Sequence, residues 1–209
     1  MHPSPGNEAS QGRALRVLQG AEHLHFQCTS CGECCRRLRV AITHHDLARL
    51  VSALGVEAAL LVEFLAPDAV DMTGEPETFV ELGSGRRLMV LAQRDGACKL
   101  LGADNRCAAY TARPDDCRQF PFDVAHAPNG ESLTLSLLPL EGCDYERSAP
   151  ADVGEREREI VSGDEARFRA LAEYQTLVAR WNRLAMRRRR FGHRVGDVAD
   201  FLDYLRRSA

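Results

Sequence analysis

With 209 residues, 44% of them hydrophobic and 27% charged, the chain has an ordinary globular composition and is long enough for one substantial core. Its formal net charge of −3 argues against wholesale binding to nucleic acid or to a membrane surface. No uninterrupted apolar run approaches the roughly 20 residues that span a bilayer, and the polar N-terminus lacks the apolar core of a secretory signal. We therefore expect a cytoplasmic protein in a reducing compartment.

A helix is predicted directly after the first group of cysteines. In the run AITHHDLARLVSALG, Thr43 and Asp46 form a variant of the capping box that begins helices. Apolar residues then recur at helical spacing until Gly55, a residue type that commonly ends a helix. His44 and His45 fall in the first turn, where we expect both side chains to face solvent.

A second short helix is predicted over residues 56–66, and β-prone runs follow it. TFVEL and RRLMVLAQ flank a Gly-Ser-Gly turn at residues 83–85, which predicts a hairpin. Turns at RDG and GADNR follow. Residues 110–123 carry two prolines and predict an irregular, braced loop, whereas residues 132–140 predict a strand.

The last third of the chain is predicted to be helical. Ser162 and Glu165 form a capping box in front of a long apolar-periodic segment. A second amphipathic helix is predicted over residues 195–207. One face of the long helix is expected to meet the core: Phe168, Leu171, Tyr174, Val178, Trp181 and Ala185.

These elements predict an α+β fold: a small, loop-rich, cysteine-cluster metal-binding domain with short helices and β-hairpins, plus a helical C-terminal segment. We expect residues 1–19 to form a disordered tail, residues 20–148 the metal-binding domain, and residues 149–209 a helical segment packing on it. Cysteine ligation is expected to organise the loop-rich part, since ligation energy counts as folding energy.

The eight cysteines favour metal ligation over disulfides, because thiols in a reducing compartment are normally kept reduced. The first four have the spacing Cys-x2-Cys-x2-Cys-Cys, and such turns aim several sulfurs at one centre, as in ferredoxin-type segments. The other four are widely spaced. All eight are candidate metal ligands: Cys28, Cys31, Cys34, Cys35, Cys98, Cys107, Cys117 and Cys143.

Two of these thiols, Cys34 and Cys35, are adjacent, and adjacent side chains of an extended chain point to opposite sides. One ion can hardly hold both, so either they serve different centres or one of them is spare. Basic residues lie one or two positions from the cysteines and would offset the charge of thiolates: Arg36, Arg37, Lys99, Arg106 and Arg118.

The sequence leaves two cofactors possible, an iron–sulfur cluster and zinc. Three thiols at CxxCxxC spacing favour an iron–sulfur cluster, of the [4Fe–4S] kind, with a structural and a redox role. Zinc also accepts four thiolates, but structural zinc sites usually pair one CxxC with a distant CxxC or with histidines. In both cases the metal ion or cluster itself is the expected partner.

The stretches CTSCGECC, YTARPDDCR and FPF, in that order, resemble the bacterial CxxCxxCC family of zinc- or iron-chelating proteins, often called the YkgJ-type cysteine cluster family. The resemblance covers roughly residues 26–143. It implies a cysteine-bound metal or iron–sulfur centre held by the matching cysteines as far as Cys117, with Cys143 as a late cysteine. A more distant similarity to flagellin lysine N-methylases implies an enzymatic alternative by analogy.

The remaining functional signals do not decide between binding and catalysis. The basic residues 186–194 would suit a zinc-stabilised module that binds an acidic protein or nucleic acid, although the overall acidity disfavours nucleic acid. No phosphate-binding loop, HExxH or GxSxG motif occurs. Catalytic residues, enzymatic activity and a protein partner therefore stay unassigned, and no membrane partner is expected.

Overall fold

The computed structural model describes residues 16–70, 76–126, 132–143 and 145–208. Helices and small, mostly antiparallel sheets alternate along the chain, which confirms the predicted α+β class. The α-helices are α1 (Glu33–Arg37), α2 (His44–Leu54), α3 (Asp115–Gln119), α4 (Val153–Arg190) and α5 (Val198–Ser208). The strands are β1 (Arg16–Gln19), β2 (Phe26–Cys28), β3 (Val62–Leu65), β4 (Val80–Leu82), β5 (Gly85–Leu91), β6 (Gln93–Arg94), β7 (Ala97–Cys98), β8 (Phe122–His126), β9 (Ser132–Leu137) and β10 (Tyr145–Arg147).

The main hydrophobic core lies between an antiparallel sheet of order β3-β5-β4 and the helices α2, α4 and α5. At its centre the rings of Trp181 and Phe201 meet edge to face, with centroids 5.3 Å apart. Trp181 Nε1 donates a hydrogen bond to the carbonyl oxygen of Glu81 at 2.8 Å. Because the polar atom of the indole is satisfied, the large ring can be buried at little cost.

A second, smaller core forms around the antiparallel strands β8 and β9, and β1 extends this sheet by parallel pairing with β9. Ile160, in the N-terminal part of α4, packs in this core. Later residues of the same 38-residue helix pack in the main core. Helix α4 therefore joins the two cores. The buried residues of the second core are Leu24, Phe122, Val124, Leu133, Leu135 and Ile160.

Several predicted elements are confirmed. The capping box begins α2: Thr43 Oγ1 accepts a hydrogen bond from Asp46 N–H at 3.3 Å, and the Asp46 carboxylate accepts one from Thr43 N–H at 2.9 Å. Gly55 ends that helix with φ of 64°. The hairpin at residues 83–85 joins β4 to β5, while β9 and α5 form the predicted strand and last helix.

Two predictions of secondary structure are wrong in the first two thirds of the chain. Residues 56–66 do not form a helix: Ala58–Leu60 make one 3₁₀ turn, and Val62–Leu65 form β3, because pairing with β5 overrides helical propensity. The predicted loop over residues 110–123 contains α3, whose first turn carries two aspartates that suit the positive end of a helix.

The predicted start of the long helix is also wrong. Helix α4 begins at Val153, nine residues before the predicted cap at Ser162, and Asp152 caps it by accepting the N–H of Glu155 at 2.9 Å. Ser162 lies inside the helix and donates to the carbonyl oxygen of Glu159. The segment before Ser162 is rich in Glu and Arg, which are good helix formers that give no apolar signal.

Two predictions of side-chain exposure are wrong. His44 is only 6% exposed, although solvent exposure was expected, whereas Phe168, expected in the core, is 46% exposed. The rest of that stripe is buried or half-buried as predicted: Leu171, Tyr174, Val178, Trp181 and Ala185.

The described backbone begins inside the tail predicted for residues 1–19, because Arg16–Gln19 form β1; the residues before 16 lie outside the described ranges. The division at residues 148–149 stays a prediction, and the C-terminal helices share the main core with the β3-β5-β4 sheet. Among the described helices, none combines the length and apolarity that a bilayer-crossing segment needs.

Candidate metal centre

The adjacent cysteines, which we call the doublet (Cys34 and Cys35), are carried by the short helix α1. Gly32 precedes this helix with a left-handed backbone, φ 80°. A Cβ atom there would lie 2.8 Å from Nη1 of Arg36. The backbone angle therefore favours glycine at this turn, whereas the end of the flexible arginine side chain could move aside.

The two thiols of the doublet differ in acidity. A hydrogen bond from the Cys35 side chain lowers the pKa of Cys34 to about 6, and backbone N–H groups and the positive charge of Arg113 act in the same direction. That hydrogen bond and burial together raise the pKa of Cys35. These opposite shifts favour the thiolate on Cys34 and the protonated thiol on Cys35.

The first of two further groups, the N-terminal thiol group, consists of Cys28, Cys31 and Cys143. Antiparallel pairing of β2 with β10 sets Cys28 opposite Tyr145, two residues after Cys143. The sulfurs of Cys31 and Cys143 are 4.0 Å apart, across 112 positions of sequence. The backbone N–H of Ser30 lies 3.4 Å from the Cys28 sulfur and donates to it.

The second group, the central thiol group, consists of Cys98, Cys107 and Cys117. Cys98 ends the β6–β7 hairpin, and Cys117 lies on α3. Cys107 pairs with Leu101 through an isolated antiparallel β-bridge of the backbone. All three pack against the main core. Burial is the largest cause that raises the pKa of Cys98 and of Cys117, and negative charge on neighbouring thiols of the group adds to it.

The doublet is close to members of both groups. Negative charge on Cys34 helps to raise the pKa of Cys143, although burial and Cys31 contribute more to this shift. Charges on Cys98 and Cys117 help to raise the pKa of Cys35. Charge on Cys34 also helps to raise the pKa of Cys98 and of Cys117. Such charge effects fall off with distance, so the doublet is close to both groups.

The two arginines after the doublet reach in different directions. Arg36 donates to the Cys31 carbonyl oxygen at 2.9 Å and also contacts the side-chain oxygen of Asn105, two residues before Cys107. Arg37 forms ion pairs with Glu33 at 3.1 Å and with Glu141 at 3.3 Å, two residues before Cys143. The pair therefore ties α1 to a loop of each thiol group.

The other predicted basic residues contact backbone or solvent. Lys99 donates to the Leu60 carbonyl oxygen at 2.8 Å, and Arg118 donates to the Thr111 carbonyl oxygen at 2.6 Å. Arg106 is exposed. Arg113 is a cation whose charge favours the Cys34 thiolate, and it gives no signal in the sequence because it lies four residues from the nearest cysteine.

Arg49, another residue that the sequence analysis missed, fixes the loop in front of Cys117. Its guanidinium donates to Asp46 at 2.6 Å and to Asp115 at 2.7 Å, and also to the Arg113 carbonyl oxygen at 3.0 Å. Asp46 is 3% exposed and accepts the backbone N–H of Asp115 as well. Helix α2 is thereby held to the start of α3.

The donor chemistry suits zinc or iron, since sulfur is the ligand that both take from cysteine. All eight cysteines are free, and the 4.0 Å between Cys31 and Cys143 is far beyond a disulfide bond of about 2.05 Å. Among the residues that the structure describes, no three sulfurs lie within 4.8 Å of one another. Around a single zinc ion, thiolate sulfurs would be about 3.8 Å apart.

Comparison with known proteins gives one match. A family model described as "CxxCxxCC: Putative zinc- or iron-chelating domain" matches residues 27–137, which include seven of the eight cysteines. No curated protein and no solved structure matches the chain. The matched segment covers more than half of the 209 residues and contains the doublet, the whole central thiol group and two members of the N-terminal group. The chain belongs to the CxxCxxCC family.

Proposed function

We propose that the chain holds two neighbouring iron–sulfur centres, each through four thiols. Cys28, Cys31, Cys34 and Cys143 would hold the first centre, and Cys35, Cys98, Cys107 and Cys117 would hold the second. The observation that carries this proposal is the pattern of thiol neighbours: Cys28, Cys31 and Cys34 act on Cys143, whereas Cys98 and Cys117 act on Cys35. One member of the doublet completes each group, so no thiol is spare.

The spacing of the first three cysteines supports iron–sulfur clusters over zinc. Three thiols at CxxCxxC spacing are typical of ferredoxin-type segments, whereas structural zinc sites usually pair one CxxC with a distant CxxC or with histidines. The 4.0 Å between the sulfurs of Cys31 and Cys143 is nearer to the spacing around a single zinc ion, so these two sulfurs would have to move apart to bind different irons of one cluster.

The role that follows is structural first and redox second. When bound, an iron–sulfur centre supplies one-electron transfer. The residues of the chain position the ligands: Arg36 and Arg37 hold α1 to both loops, and Arg113 places positive charge near Cys34. Ligation would join residues 28–35 to residues 98–143, which are distant in sequence, so metal binding stabilises the fold.

The direct test is anaerobic purification followed by analysis of iron, acid-labile sulfide and zinc. The proposal predicts a brown protein with about eight irons and about eight sulfides per chain, whose visible absorption bleaches on reduction. A colourless protein with stoichiometric zinc would contradict the iron–sulfur proposal while leaving metal ligation by the cysteines intact.

The structural role is tested separately with Cys31→Ser. We expect this variant to lose the metal of the first centre and to melt at a distinctly lower temperature than the unmodified chain, because ligation energy is part of the folding energy. Thermal denaturation and elemental analysis are the measurements. Unchanged melting with unchanged metal content would refute the structural role.

A further inference from the structure

We propose a second kind of metal site, built from His44, His45 and Glu173, which takes a divalent transition-metal ion such as Zn²⁺ or Ni²⁺. It goes beyond the cysteine centres, because none of its ligands is a thiol. Two of its residues begin α2, and the third lies in the middle of α4. Each offers one ligand atom, and these three atoms all lie within 4.8 Å of one another.

The two exposed members of the site are already in contact. His45 Nε2 and Glu173 Oε2 are 2.7 Å apart, and their side chains are 47% and 62% exposed. Because both reach solvent, small rotations can admit an ion between them. Imidazole nitrogen together with carboxylate oxygen is a donor set that suits zinc, nickel, copper and iron rather than magnesium or calcium.

The third member, His44, supplies the independent observation that points to a ligand. This residue is 6% exposed, and its Nδ1 atom is buried with no hydrogen-bond partner among the described residues. Its ring lies beside that of His45, with centroids 4.0 Å apart, and that of buried Tyr174, with centroids 6.2 Å apart. A buried imidazole with an unused nitrogen is costly in a purely structural role.

The protonation states agree with this geometry. Burial lowers the pKa of His44, which keeps its imidazole neutral and its lone pair free, and the charge of His45 acts in the same direction. A hydrogen bond from His45 lowers the pKa of Glu173, so that this carboxylate is charged. His44 and Glu173 are thus in the forms that metals bind.

Two features oppose the site. The N-terminal end of α2 carries partial positive charge, which disfavours a cation there. Arg169, one turn before Glu173 on α4, adds positive charge nearby. The competing interpretation is that the His45–Glu173 hydrogen bond only ties α2 to α4, and this interpretation predicts no ion binding.

The test uses the full chain with its cysteine centres filled. Ni²⁺, and separately Zn²⁺, is titrated into the protein by calorimetry, while elemental analysis checks that the metal already bound to cysteine stays in place. We expect one equivalent of Ni²⁺ to bind beyond the cysteine-bound metal. In His45→Ala and in Glu173→Gln the affinity should fall by more than about tenfold.

Two matched control variants remove a histidine and a carboxylate that lie outside the proposed site. His193→Ala removes an exposed histidine, and Glu165→Gln removes a carboxylate from the same helix two turns before Glu173. Both should bind Ni²⁺ like the unmodified chain, and Mg²⁺ should not compete. Absence of saturable Ni²⁺ and Zn²⁺ binding, or binding unchanged in both site variants, would overturn the proposal. Equal binding of Mg²⁺ would overturn the proposed class of metal.

Discussion

Cys34 and Cys35 are separated by one peptide bond, yet different neighbours act on each of them. The thiol of Cys35 donates to the thiolate of Cys34, and the charge of Arg113 favours that thiolate. Charges on Cys98 and Cys117 act in the opposite direction on Cys35. The adjacency of the two cysteines thus allows a single helix to serve both thiol groups, with Arg36 and Arg37 holding it in place.

The reactivity of the cysteines in the metal-free chain tests the lowered pKa of Cys34 and its hydrogen bond from Cys35. Because the pKa of Cys34 is lowered to about 6, we expect iodoacetamide at pH 7 to modify Cys34 before the other cysteines. Cys35→Ala removes the donor, so the pKa of Cys34 should return toward its ordinary value and its alkylation rate at pH 7 should fall roughly tenfold. Peptide mapping by mass spectrometry across pH 5–9 measures both. Equal modification of Cys34 with and without Cys35 would contradict the proposed hydrogen bond.

A separate prediction concerns the substitution of Gly32 in the turn that precedes α1. Gly32→Ala would strain a left-handed residue and push the new Cβ onto Arg36. Gly55→Ala is the matched control, since Gly55 has a similar φ but open space around it. We expect the control to lower the free energy of unfolding by about 1 kcal/mol. Because the end of the Arg36 side chain can move aside, Gly32→Ala should cost at most about 1 kcal/mol more, through the Arg36 hydrogen bonds that it displaces. Urea denaturation measures the difference, and equal costs would show that the Arg36 contact is unimportant.

At the scale of elements, the contact between α2 and α3 determines where Cys117 lies. Asp46 belongs both to the capping box of α2 and to the ion pair with Arg49, which in turn holds Asp115. A second link, from Arg167 on α4, reaches Asp116 at 3.4 Å and buried Asp164 at 3.0 Å. The short helix that carries Cys117 is therefore held by charged residues on two longer helices.

Arg49→Met tests this contact. The change would leave the buried carboxylate of Asp46 without its cation, so we expect the free energy of unfolding to fall by about 3 kcal/mol and metal content to fall with it. Arg39→Met is the control, because the Arg39–Glu63 ion pair is more exposed and should cost less than about 1 kcal/mol. Both are measured by urea denaturation and elemental analysis. A loss for Arg49→Met no larger than that of the control would contradict the assigned role.

The sequence predicts those elements whose signals are local. Thr43, Asp46 and Gly55 bound α2 as predicted, because capping depends on nearby backbone groups. Residues 62–65 form β3 only because β5 lies beside them, and this contact is not visible in a helical-looking apolar run.

The candidate site divides in the same way between local and tertiary information. The spacing from Cys28 to Cys35 predicts metal ligation and two possible uses of the doublet. It cannot predict that Cys31 meets Cys143, since that contact depends on strand pairing across more than a hundred residues. The burial of His44 likewise follows from the packing of α4 against α2, which gives no signal near residue 44.

At the scale of the whole molecule, each thiol group lies beside its own core. The central group packs on the main core, whereas β2, which carries Cys28, begins with Phe26 on the second core. Helix α4 joins the cores through apolar packing. In the proposed division of the cysteines, α1 would join the thiol groups through the doublet, so that two independent connections would link the parts of the molecule.

Metal loading is expected to release protons. Burial is the main cause that raises the pKa of Cys98 and Cys117 and raises that of Cys143 to about 11, so these thiols are protonated at pH 7 without metal. Ligation requires thiolates, so metal affinity should rise with pH and acid should release the metal. Without metal, the raised pKa values stabilise the fold below the ordinary thiol pKa of about 8.5, and this stability is lost as pH rises above it. Zinc titration of the metal-free chain with a pH indicator should show several protons released per chain. No release would contradict the prediction.

The most direct test of two centres is the metal and sulfide content of four anaerobically purified proteins: the unmodified chain, Cys143→Ser, Cys107→Ser and the double variant that carries both substitutions. In the proposed division, each single substitution removes a ligand from one centre only. The account predicts that each variant keeps about half of the metal of the unmodified chain, and that the double variant keeps almost none. Loss of all metal in either single variant, or full retention in both, would contradict a division of the eight cysteines between two centres.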